Sequence, residues 1–184
     1  MKRNFVRTAR DIAIVALIFA LSGTGLPLAA QTAGEAPKSA NKAAAIRSLE
    51  RAVNLLAAAD WDGASFEARL GETYDPSMAD FPYIEALSLA AKGSPRADIL
   101  ERVETALADG YFWRTYSRDE ALIFNARLKA ETCRYADALA LLSKTSKISS
   151  ADADYARAVS LYGLGKIAEA RTSVSRALER WPFD

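Results

Sequence analysis

Apolar and polar positions follow two regimes along this chain. Ile12 to Leu21 is an unbroken run of ten apolar residues, preceded by Lys2, Arg3, Arg7 and Arg10. From residue 44 onward, apolar positions recur three and four apart. In "ARAVSLYGLG" (156–165), for example, Ala158, Leu161 and Tyr162 fall on one face. That spacing is the period of an α-helix, in which side chains at i, i+3 and i+4 share a side. Between the two regimes lies "QTAGEAPKSANKA" (31–43), small, polar and aperiodic, which reads as a flexible linker. The expected organisation is a leader over 1–30, a linker over 31–44 and an all-α body over 45–184.

The leader has the layout of a secretory signal: a basic start, an apolar run, then small and turn-prone residues ending in "LPLAA", with cleavage expected near Ala30. It carries no cysteine for a lipid anchor and no twin arginine, so the general secretory route fits. The alternative is an uncleaved membrane anchor. Ile12 to Ala30 spans 19 residues without a charge, close to the ~20 that a spanning helix needs, although Gly23, Gly25 and Pro27 interrupt it. Either way, the body is expected in the periplasm or cell envelope.

Composition narrows the function classes. Residues 1–30 hold four of the 24 basic residues and one of the 23 acidic ones, leaving 20 against 22 in the remainder, a net charge of −2. No basic face stands out, so a nucleic-acid partner is not expected. There is no histidine and a single cysteine, Cys133. The commonest general base and metal ligand are thus missing, as are an internal disulfide and a cysteine-rich zinc site. No enzyme activity, cofactor or metal is expected.

The helical body repeats. Counted from Ala151, a 34-residue unit places Ala158 eighth, Leu161 eleventh, Gly165 fifteenth, Ala170 twentieth, Val174 twenty-fourth, Ala177 twenty-seventh and Pro182 thirty-second. Counted from Ala45, the same places other than the fifteenth hold Ala52, Leu55, Ala64, Ala68, Gly71 and Pro76, with Trp61 seventeenth. Units from Ala79 and Asp119 fit more loosely: Ala86 and Leu89 keep their places in one, and Ala126, Tyr135 and Ala138 in the other. Small residues at the eighth and twentieth places let two antiparallel helices approach, one at the twenty-seventh makes room for the next unit, and the proline ends the second helix. The pattern resembles the tetratricopeptide repeat (TPR) family. The resemblance implies a superhelix of about four helical pairs (45–78, 79–112, 119–150 and 151–184), built so that each unit buries its apolar face on its neighbours.

Other motifs yield to this frame. Gly165-Lys166 is followed by Ile167 rather than Ser or Thr, and Ser160 stands where a phosphate loop needs glycine. Gly165 is instead the expected turn, with Lys166 at the solvent side of the next helix. The acid pairs Asp60/Asp62 and Asp152/Asp154 fall at helix edges, where they satisfy backbone donors. Cys133 reads as a small, partly buried turn residue. The insertion "DGYFWRTYS" (109–117) carries Tyr111, Phe112, Trp113 and Tyr116. Its aromatics either plug an irregular repeat or face a ligand beside Arg114 and Arg118.

The resemblance also implies a partner-binding inner face on the first helix of each unit. Its candidates here are Tyr83, Leu87, Ile123, Arg127, Tyr155, Val159 and Tyr162. The lysine and asparagine set with which some family members clamp a terminal carboxylate is missing. No polar capping helix follows the last unit, so Val174, Leu178, Trp181 and Phe183 are candidates for a C-terminal interaction face. The expected function is a non-catalytic, exported scaffold that binds a protein or peptide. The alternatives are a self-associating structural module and a shortened relative of a longer TPR protein.

Overall fold

A computed structural model describes residues 38–146 and 150–180. Its described residues form eight helices and no strand. They are α1 (Lys38–Ala57), α2 (Trp61–Tyr74), α3 (Asp80–Lys92), α4 (Arg96–Ala106), α5 (Arg118–Glu131), α6 (Tyr135–Leu142), α7 (Ala151–Gly163) and α8 (Ile167–Arg180). Successive helices pack on one another, so the chain runs as hairpins α1–α2, α3–α4, α5–α6 and α7–α8. The first helix of each later hairpin also rests on the hairpin before it. The leader, with residues 31–37, lies outside the described residues. The expected linker differs in part, because α1 already begins at Lys38. Ala43, Ala44 and Ala45 favour helix there, and Ala45 is fully buried.

The helix ends follow from local chemistry. Asp60 accepts from the Gly63 N–H at 3.0 Å and caps α2. Ser117 and Glu120 form a reciprocal capping box at α5, and Ser150 caps α7. Each satisfies N–H groups that have no partner within the helix. Gly165 turns the chain between α7 and α8 at φ 75°, a left-handed conformation that costs glycine little. Cys133 does the same job between α5 and α6 at φ 62°. It is exposed rather than partly buried, because the left-handed turn carries its side chain outward.

Alanines mark where the helices meet. Ala52, Ala64, Ala86, Ala126 and Ala138 are fully buried, and Ala170 nearly so. Bulky residues fill the space between these contacts in three clusters. Leu49, Leu56, Phe81 and Ile84 form the first. Tyr83, Ile99, Val103 and Leu128 form the second, and Ile123 and Leu142, with several alanines, the third. Two hairpin junctions add a ring laid on a glycine: Phe81 of α3 covers Gly71 of α2, and Tyr135 of α6 covers Gly163 of α7.

The junction between α4 and α5 is built differently, through the insertion. The Asp80 carboxylate, fully buried at the start of α3, accepts from the backbone N–H groups of Arg114, Thr115 and Tyr116, each at 2.8 Å. Phe112 donates its N–H to Ser77 and accepts from the Ala79 N–H. Pinned in this way, the loop lays Trp113 and Tyr116 edge-on against Tyr83, with ring centroids 5.7 and 5.2 Å away; Phe124 completes the cluster at 6.0 Å. These aromatics fill the space that a regular hairpin contact would occupy.

Candidate functional site

The candidate inner-face residues do not lie on one open surface. Tyr83 and Ile123 are buried, each 5% exposed, in the second and third core clusters. Leu87 and Val159 are half-buried and pack at the edges of those clusters. Tyr155 and Tyr162 are 49% and 69% exposed. They stand seven residues apart on α7, two helical turns, and so present a strip with Val159 between them.

Arg127 links this strip to the rest of the molecule. Its guanidinium bonds Glu131 at 3.0 Å and Asp152 at 2.8 Å, and lies 6.0 Å from the centre of the Tyr155 ring. Glu131 also meets Arg96 of α4 at 2.6 Å. One ionic chain, Arg96–Glu131–Arg127–Asp152, therefore joins three hairpins beneath Tyr155. Burial disfavours the charge on Arg127, but Asp152 and Glu131 outweigh it, and the pKa rises above the ordinary arginine value. Each carboxylate is already matched by a guanidinium, so the strip offers aromatic and apolar surface rather than a free charge.

The outer face of α8 is the second exposed surface. Val174 is 44% and Leu178 56% exposed. The structure adds Ile167 at 51% and, in the turn before α8, Leu164 at 44%; neither was a sequence candidate for this face. The signal for Ile167 was present: 167, 174 and 178 fall on one helical stripe, which exposed Arg171 shares, distinct from the buried Ala170 and Ser173. Trp181 and Phe183 lie outside the described residues.

Burial pushes the Tyr83 and Tyr116 phenols well above their ordinary range, with nearby acids adding to it: Glu120 and Asp152 near Tyr83, Asp80 and Glu120 near Tyr116. Cys133, Arg134, Tyr135 and Leu164 border a shallow, open depression of about 230 Å³ at the α5–α6 turn. Among the described residues, no group of three or more acids or cysteines is placed to hold a metal ion.

No family model matches the chain, and no solved structure matches it. It is similar to an uncharacterized protein of Treponema pallidum (strain Nichols), at 39% identity over 124 residues. That match covers 67% of this chain and 16% of the relative, so the chain spans about a sixth of the relative's length.

Proposed function

We propose that this chain is a non-catalytic, exported scaffold of the tetratricopeptide kind, which binds a protein or peptide partner in the cell envelope through its last hairpin. The observation that carries this reading is where the large apolar side chains are exposed. Tyr155, Tyr162, Leu164, Ile167, Val174 and Leu178 all belong to α7, α8 or the turn between them. Among the described residues, Phe66 and Phe112 are the other large apolar side chains so exposed. A clustered apolar surface on a folded protein marks an interaction site. Successive hairpins with buried alanines at the helix contacts support the repeat assignment, and the basic-then-apolar leader supports export. Absence of histidine from the sequence supports a binding rather than a catalytic role.

The test is quantitative capture from envelope extract with the wild-type chain and with Tyr155→Ala/Tyr162→Ala. The reading expects a defined partner that the wild type enriches and the variant loses. Equal recovery by both proteins, or no enrichment over a blank resin, contradicts it.

A further inference from the structure

We infer that Asp109 is a site of spontaneous backbone isomerisation, which slowly turns it into isoaspartate at the entry to the insertion. The inference stands apart from the partner reading above, since no residue of α7 or α8 takes part. The chain holds two Asp–Gly pairs, Asp62–Gly63 and Asp109–Gly110. A glycine after aspartate favours this reaction, because no side chain shields its nitrogen or restricts its backbone. The structure treats the two pairs differently. Gly63 lies in the first turn of α2, and its N–H donates to Asp60 at 3.0 Å. The Asp62 carboxylate is bonded to Lys92. Both reacting groups are held there, and the helix fixes the backbone between them. Asp109 and Gly110 instead follow the end of α4 in a turn. The Asp109 side chain is fully exposed, and Arg118 comes no nearer than 3.9 Å, a surface pair that restrains little. Nothing lies within 4 Å of where a Gly110 Cβ would stand. Among the described residues, no main-chain carbonyl accepts from the Gly110 N–H.

The reaction needs only water. The Gly110 nitrogen bonds Cγ of the Asp109 carboxyl group and gives up its proton. That proton leaves with the carboxyl hydroxyl as water, closing a succinimide ring. Water then reopens the ring. Breaking the new Cγ–N bond restores aspartate. Breaking the bond from the main-chain carbonyl to the nitrogen leaves the chain running through Cγ, which is isoaspartate. One water is lost and one regained, and nothing is oxidised or reduced. The product adds one carbon to the main chain ahead of Phe112, whose N–H and carbonyl pair with Ser77 and Ala79. The change therefore falls where the insertion is first tied down, and the exposed turn accepts it without opening a helix.

Incubation of the purified chain for weeks in mildly acidic buffer made with heavy-oxygen water, then tryptic digestion and mass spectrometry, tests the assignment. The peptide holding Asp109 should gain heavy oxygen and split into two chromatographic forms of equal mass, one of them isoaspartyl by its fragments. The peptide holding Asp62 should do neither while the chain is folded. In urea both peptides should react, because the fold no longer holds Gly63. Asp109→Glu should lose the second form, since its longer arm closes a larger and slower-forming ring, with helical circular dichroism unchanged. Asp109→Asn should reach the isoaspartyl product faster, with ammonia leaving in place of water. A folded wild type without isoaspartate at 109 overturns the inference, as does equal reaction at Asp62 and Asp109 in the folded chain. An Asp62 peptide that stays inert in urea also overturns it, because the fold would then not be what separates the two pairs.

Discussion

A Cβ built on Gly71 would stand 2.1 Å from Cε1 of Phe81, so the α2–α3 contact is a ring laid on bare backbone. Phe81 is fully buried and has no room to retreat. Gly71→Ala is therefore expected to destabilise the fold by about 1–3 kcal/mol through overpacking, despite alanine's better helix propensity. Urea unfolding followed by circular dichroism measures this. Phe81→Leu in the same chain should recover part of the loss, which a purely local effect at Gly71 would not allow.

The Tyr135–Gly163 contact looks similar, with the added Cβ 2.2 Å from the ring. Here the ring is half-buried at the molecular surface and can swing away. Gly163→Ala should thus lower the melting temperature far less than Gly71→Ala. Equal losses at the two sites would show that ring burial does not set the cost.

Asp80 organises the insertion through three backbone hydrogen bonds. Asp80→Ala leaves those donors without their partner and should cost about 2–4 kcal/mol, since bonds to a charged group are the stronger kind. The loop should loosen as well, reported by a red shift of Trp113 fluorescence when Trp61 and Trp181 are replaced by Phe. Asp80→Asn should fall between, because its amide NH₂ cannot accept the bond from Arg114.

The aromatic cluster sets an alkaline limit. Burial, then nearby Asp80 and Glu120, hold the Tyr116 phenol above its ordinary value of 10, and burial followed by Glu120 raises Tyr83 likewise. In the unfolded chain both ionise from about pH 10, while the fold keeps them protonated. Stability is then intact below pH 10 and falls as pH rises above it. Helicity should drop in one transition with the appearance of the last phenolate absorbance. Tyr116→Phe should shift that transition to higher pH. Full ionisation of all seven tyrosines near pH 10 with helicity intact would contradict the account.

The all-helical architecture was legible because its signal is local. A period of three and four residues, small residues at helix contacts and a glycine at 165 depend on near neighbours in sequence. The fate of Tyr83 was not legible. Its place on the helix suits an open inner face, and only the folding of residues 112–116 over Asp80 covers it. The Arg96–Glu131–Arg127–Asp152 chain was hidden for the same reason, since its members come from three hairpins. Charged residues inside a helix as buried as α5 were its one trace. The linker boundary was missed because Lys38–Ala44 has helix propensity but no apolar period.

The most direct test of the central claim is site-specific photo-crosslinking in living cells. A photoreactive phenylalanine derivative would be placed at Tyr155 or Tyr162 on α7, and at Asn54 on α1 for comparison. Crosslinks to a protein partner at 155 and 162, with none at 54, are the predicted result. Crosslinks that are absent from α7, or equal at all three positions, would contradict a binding surface on the last hairpin.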